Sequence, residues 1–239
     1  MPLNDRIIFE LNRLLQAQKD LELLIFYKGL PFTCKTTLLN LTGEQAMIKV
    51  SPPGSVCLEW EPYAWILSGE PLEAIKAHID SFDITTGLAE ISDFSYVGSK
   101  FGRRMTVRVV PKEPLEVRII HGQHKMQGTL VDISMGGAGL VIPGQETASE
   151  LKIGDLVELE IMLPEGKAAI DGKVHTCSKS EDGTVRLSVA YTENTRDKGL
   201  ILKYIANRRV EIVRDLREMY EKTYQAKMAG AVPTNLASS

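Results

Sequence analysis

Two groups of side chains in the second half of the chain carry chemistry by type and spacing. The first is Arg103-Arg104-Met105-Thr106-Val107-Arg108, and the second, about two dozen residues on, is Asp132-Ile133-Ser134-Met135-Gly136-Gly137. A strand over residues 106–110 puts Arg104 and Arg108 on one face, since positions an even number apart share a side. Guanidinium forks suit phosphate oxygens and the O6/N7 edge of guanine, which they meet with two parallel donors. Asp132 and Ser134 face one way on a strand end while Ile133 faces the core. Asp132 offers two acceptor oxygens and Ser134 a rotatable hydroxyl, so the carboxylate suits the N1–H and N2 amino donors of guanine. Gly136 and Gly137 allow positive φ and carry no Cβ, which lets a ligand come close to the backbone. Each group also has a purely structural reading. The arginines serve equally as a solvated strand edge, and Asp132 and Ser134 as partners for the amides of a Gly-Gly turn.

The whole-chain charge narrows the ligand class. With 239 residues and a formal net charge of −3, the chain lacks the strongly basic balance of a general polyanion binder. Positive charge is instead local: residues 100–125 hold seven Lys and Arg against two Glu. A focused basic segment favours a small anion over a polymer. Cys34, Cys57 and Cys177 stand far apart with no C-x-x-C spacing, as expected of reduced thiols in a cytoplasmic protein. The N-terminus does not read as a signal peptide, and no apolar run reaches the length of a membrane span.

The elements that must position these groups follow from periodicity. Residues 4–19 space Ile7, Ile8, Leu11, Leu14 and Leu15 as an amphipathic helix with Asn4 as N-cap, suited to packing on a barrel. Strands are expected at 21–27, 32–41, 45–50 and 56–67, one or two helical turns at 71–78, and one or two more strands in 83–96. The apolar setting of Trp60 and Trp65 assigns both to the core of this half. Residues 97–104, rich in glycine and cations, read as a linker. Further strands fall at 106–110, 115–120, 126–133, 139–142, 156–162, 168–177 and 185–191, with an Asp182-Gly183 hairpin signal. A long helix runs over 197–227, capped by Asn194 or Thr195, with Arg208 and Arg209 on its polar face. The expected organisation is an N-terminal domain of short strands forming a small barrel or sandwich (1–97), a linker (98–104), a second domain with its C-terminal helix (105–230) and a tail (231–239).

R-x-x-x-R at Arg104 and Arg108, followed by [DN]-x-S-x-x-G at Asp132, Ser134 and Gly137, resembles the PilZ domain, a six-stranded barrel that binds the second messenger cyclic di-GMP. The likeness covers roughly residues 100–227. It implies a mainly β protein of two small barrels similar to the YcgR-like flagellar brakes, whose N-terminal barrel is itself PilZ-like. It further implies a ligand site at Arg103, Arg104, Arg108, Asp132, Ser134, Gly136 and Gly137. The N-terminal half contains neither motif, so a second site is not expected there. Because the arginines begin on the linker, ligand binding is expected to change the arrangement of the two domains and so act on a motility, adhesion or related output through a protein partner.

No enzymatic constellation accompanies the motifs. Ser134 lacks a G-x-S-x-G context, no dinucleotide or Walker glycine pattern occurs, and His121-Gly122-Gln123-His124 reads as a hairpin turn rather than a metal site. The expectation is a receptor with no catalytic residues, no metal and no cofactor beyond its ligand. DNA is disfavoured as a partner, and the C-terminal helix is a candidate for homodimer formation. The alternatives are a cyclic di-GMP-responsive transcription regulator and a PilZ-like module that makes protein contacts without ligand.

Overall fold

The computed structural model describes residues 3–52, 54–67, 74–97, 107–144, 151–193 and 196–229. The chain divides into two compact units. The first comprises Met1–Tyr27, Pro31–Arg104 and Val213–Ser239, and the second Lys28–Leu30 and Met105–Ile212.

The first unit opens with α1 (Leu3–Ala17), which buries Ile7, Leu11 and Leu14. Strands β1 (Leu21–Tyr27), β2 (Leu30–Thr42), β3 (Gln45–Val50), β4 (Tyr63–Leu67), β5 (Ala74–Asp83) and β6 (Leu88–Val97) close a barrel in the order β1-β2-β3-β6-β5-β4. Strict alternation along β1 sends Leu21, Leu23, Ile25 and Tyr27 inward. The Tyr96 hydroxyl donates to Glu10 at 2.7 Å and Arg6 lies over the Tyr96 ring, fixing α1 on β6.

Three sequence expectations for this unit are corrected. The stretch 56–67 is not one strand, because Gly54–Glu59 forms a 3-10 helix that buries Ser55, Val56, Cys57 and Leu58 in succession. Consecutive burial is what a helical turn allows and an alternating strand forbids. The helical turns expected at 71–78 are strand from Ala74 on, for β5 pairs with β4 on one edge and β6 on the other. Tertiary pairing here overrides the helix-forming Leu-Glu-Ala composition. Neither tryptophan fills the core: Trp60 is 43% exposed, and Trp65 alternates outward between buried Ala64 and Ile66, edge-on to Phe26 at 5.1 Å.

In the second unit, β8 (Leu115–His121), β9 (His124–Ser134), β10 (Gly137–Ile142), β11 (Leu156–Leu163), β12 (Gly166–Lys179) and β13 (Val185–Tyr191) form the ring β10-β13-β12-β11-β8-β9, closed by pairing of β9 with β10. A short β7 (Arg108–Val109) extends the ring along β9. Val117, Ile119, Leu130, Ile133, Leu140, Leu159, Ile161 and Leu187 make up much of the core. The protein is thus mainly β, built on two six-stranded barrels. Helix α2 (Lys198–Met228) follows. Its first part buries Ile201, Tyr204, Ile205 and Ile212 in the second unit, and Leu216 is buried in the first. Among the described residues no helix is long and apolar enough to cross a membrane.

Candidate functional site

The site is set by one irregularity in β9. Met126, Gly128 and Leu130 alternate inward, and Ile133 is also buried, three positions after Leu130. Uniform alternation cannot bury both ends of that spacing. The register with β10 shifts there: Leu140 pairs with Leu130 but Gly139 pairs with Asp132, leaving Val131 as an extra residue. Such a bulge re-aims the side chains around it. It turns Ile133 to the core and lays the Asp132 carboxylate over Gly139, where a Cβ would lie 3.1 Å from Asp132 Oδ2. The glycine at 139 therefore makes room for the acid.

Beyond the bulge, β7 pairs with the end of β9, setting Arg108 opposite Ser134. The Arg108 guanidinium reaches Asp132, with Nη1 at 3.3 Å from Oδ1 and 3.5 Å from Oδ2. The side chains remain 40% and 25% exposed, so the pair stands at the surface of the unit. Both distances are long for a charge-assisted hydrogen bond, for which about 2.8 Å is usual. The two groups are held in register but loosely bound to each other.

Ser134 takes the structural role that its position leaves open. It is 3% exposed, and its hydroxyl donates to Gly137 O at 3.1 Å and accepts from Gly136 N–H at 3.3 Å, bridging the turn between β9 and β10. Neither Gly136 nor Gly137 uses the positive φ open to it. Gly137 lacks a side chain for a packing reason: a Cβ there would collide with the Val189 carbonyl oxygen of β13. Across β13, Gly172 of β12 is equally constrained, because its Cβ would collide with Val189 Cγ1. Arg103 and Arg104 lie outside the described residues, as do the linker from 98 to 104, the caps Asn194 and Thr195, and the tail.

Among the described residues of the basic segment, Arg118 is held by a different acid from Arg108. Arg118 on β8 pairs across the sheet with Glu160 on β11 at 3.0 Å, and Lys167 shares that carboxylate. These two cations hold the Glu160 carboxyl below its usual range, the Lys167 hydrogen bond being the larger cause. Arg208 is also corrected: it is 2% exposed, with Nε donating to Val110 O and Nη1 to Glu211, both at 2.9 Å. His121 and His124 face each other across a turn at Gly122 and Gln123, with His121 3.6 Å from Asp155. No group of three or more metal-ligating side chains is found among the described residues.

Tyr191 belongs to the site's surroundings and shows no signal in the sequence. Its backbone N–H donates to Gly136 O at 3.0 Å, and its hydroxyl is buried without a hydrogen-bond partner among the described residues. Burial, and after it the Asp132 charge, push the phenol above its ordinary pKa. A tyrosine ending a β-strand is too common for its type or spacing to flag it.

The family model for the PilZ domain matches residues 102–207. Among solved structures, the Klebsiella pneumoniae MrkH–c-di-GMP complex is 17% identical, with 89% of this chain and 96% of that one covered and a TM-score of 0.46. Escherichia coli YcgR in complex with c-di-GMP is 18% identical over 92% and 95%, with a TM-score of 0.43. The Bacillus subtilis inhibitor of motility MotI/DgrA is 14% identical over 81% and 97%, with a TM-score of 0.41. Among curated proteins no match is found. The likenesses to solved structures are slight in sequence and in superposition, so the family match is what identifies the domain. Taken with the closed ring and the motif spacing, it establishes that this chain carries a PilZ domain over residues 102–207.

Proposed function

We propose that the PilZ domain binds cyclic di-GMP and that the chain is a receptor for it rather than an enzyme. The observation that carries this is the meeting of Arg108 and Asp132, the one a fork of donors and the other a pair of acceptors, side by side at the barrel surface. Guanine complements both at once. Its O6/N7 edge and the neighbouring phosphates accept from arginine, while its N1–H and N2 amino group donate to a carboxylate. A guanine nucleotide thus exchanges a loose, partly exposed ion pair, of a kind worth little in itself, for two sets of matched hydrogen bonds.

In this reading Arg108 and Asp132 contact the base directly, with Arg103 and Arg104 adding guanidinium groups for the second base and the phosphates. Ser134, Gly136 and Gly137 form the backbone turn against which the ligand lies. Recruitment of arginines from the segment before β7 then changes the arrangement of the two barrels, and that change alters a motility, adhesion or related output through a protein partner.

Titration of the full chain with cyclic di-GMP and with its adenine counterpart tests the guanine reading. Adenine lacks O6 and the N2 amino group, so it should bind at least about a hundredfold more weakly, given roughly 1–3 kcal/mol for each base-edge pairing that adenine cannot make. Equal affinity for the two dinucleotides would refute guanine recognition by these side chains.

A further inference from the structure

An arginine fork reads a base only when its stem leaves the backbone at the right place and angle, because both parallel hydrogen bonds must be met at once. The side-chain partner of Arg108 does not fix that placement, since its contacts to Asp132 are long, at 3.3 and 3.5 Å. Strand β7 is only two residues long and stands at the end of its sheet, beside β9. Val109 is fully buried and anchors the middle of the segment. The placement of Arg108 therefore depends on what packs against the backbone on either side of Val109.

Two residues outside both sequence motifs supply that packing. Gly29 lies in the turn between β1 and β2, in the stretch Lys28–Leu30 that belongs to the second unit. A Cβ on Gly29 would lie 2.8 Å from Arg108 O and 3.2 Å from Arg108 C, backbone atoms that cannot rotate away. The same turn takes the Val110 N–H, which donates to Lys28 O at 3.1 Å. Arg208 of α2, buried and balanced by Glu211, donates from Nε to Val110 O at 2.9 Å. Gly29 thus abuts the Arg108 carbonyl, and Lys28 and Arg208 hold both backbone groups of Val110. A turn glycine needs no such contact. Gly122, in the turn between β8 and β9, has φ +59° and open space where its Cβ would stand, whereas Gly29, at φ +84°, has the Arg108 backbone there.

We propose that Gly29 and Arg208 are positioning residues of the ligand site, setting the Arg108 backbone so that its guanidinium meets guanine squarely, without either residue touching the ligand. The inference rests on the cyclic di-GMP reading above. A side chain at 29 pushes the Arg108 carbonyl aside, and loss of the Arg208 fork releases the Val110 carbonyl. Both turn the Arg108 stem away from the base. Guanine suffers more than adenine, because only guanine offers the O6/N7 pair that the arginine fork spans. General loss of stability, by contrast, lowers the folded fraction for both ligands alike. The guanine-over-adenine ratio therefore separates misplacement of Arg108 from a merely structural effect.

Calorimetry on the full chain tests this, direct for cyclic di-GMP and by competition for its adenine counterpart, at a temperature below each unfolding transition. Gly29→Ala and Arg208→Ala should each bind cyclic di-GMP about tenfold more weakly, within the worth of one bidentate contact to a base, and should narrow the guanine-over-adenine ratio. Gly122→Ala, with similar backbone strain and no such contact, should melt lower yet bind as wild type does. Arg208→Lys, which keeps the charge that Glu211 pairs, stands in where Arg208→Ala does not fold, and the same outcomes decide. Wild-type affinity in either variant overturns the inference, as does an equal loss in Gly122→Ala or a loss that leaves the ratio unchanged. Wild type that binds no cyclic di-GMP removes the site itself and this inference with it. Wild type that binds, beside variants that bind as tightly, overturns the inference alone.

Discussion

At the scale of single residues, burial divides the polar side chains into those that hold the fold and those open to a ligand. Ser134 and Arg208 hold the fold. Ser134→Ala strips the β9–β10 turn of both its side-chain hydrogen bonds and should cost about 1 kcal/mol in urea unfolding. Arg208→Ala leaves the Val110 carbonyl without its donor and should cost about 2 kcal/mol. Lysine at 208 should recover only part of that, since an ammonium lacks the fork that serves Val110 and Glu211 at once. Sequence spacing singled out Arg108 and Asp132 because their types and separation are unusual together, and the two are paired in the fold. It misread Arg208, although Ile201, Tyr204, Ile205, Arg208, Ile212 and Leu216 fall on one helical stripe; the charge outweighed the spacing. Trp65 was equally within reach, since alternation with Ala64 and Ile66 sends it outward. The burial of Ser134 was not, because it depends on how the chain turns after the strand.

At the scale of elements, strands whose pattern alternates without interruption are legible to their ends, as β1, β3 and β13 show. Elements whose state is decided by distant neighbours are not. Residues 54–59 and the start of β5 carry ambiguous local signals, which the pairing of β5 with β4 and β6 and the packing of Val56, Cys57 and Leu58 settle. The bulge at Val131 is of the same kind, for only the β10 register shows it. The seam between β10, β13 and β12 makes its own demand. Gly137→Ala drives a methyl into the Val189 carbonyl oxygen and should destabilise the second unit by about 1–3 kcal/mol, the usual cost of overpacking. Gly122→Ala, where nothing lies within 4 Å but φ is +59°, is the control that isolates backbone strain from collision. Thermal melts of the two variants separate the effects.

At the scale of the whole molecule, the first unit keeps two thiols out of reach. Burial raises Cys34 to about 11, and burial, then the nearby Cys34 and Glu61, raises Cys57 to about 12. Near neutral pH both stay protonated and inert, so a thiol reagent should modify Cys177 first in the native protein and all three residues in denaturant. In the unfolded chain these thiols ionise near about 8.5. Between that pH and about 11 to 12 the folded state holds the protons that the unfolded state has lost, so stability falls as pH rises through the window. Replacing Cys34 and Cys57 by alanine should flatten the alkaline part of the stability curve. Strand spacing and turn residues made two β-rich halves legible and the motif resemblance supplied their closure into barrels, whereas the division of α2 between the units was not legible. A helix written as one amphipathic stripe does not announce which core each part serves.

Arg108 and Asp132 together must receive a guanine dinucleotide if this chain is a cyclic di-GMP receptor. Isothermal titration of the full chain with cyclic di-GMP, run beside Arg108→Ala and Asp132→Ala, addresses that directly. Wild type should bind at micromolar or lower dissociation constant, and each variant should lose the heat while keeping its unfolding transition, since both side chains are partly exposed. A wild-type chain that gives no heat and no thermal shift at high ligand, or variants that bind as wild type does, would contradict it.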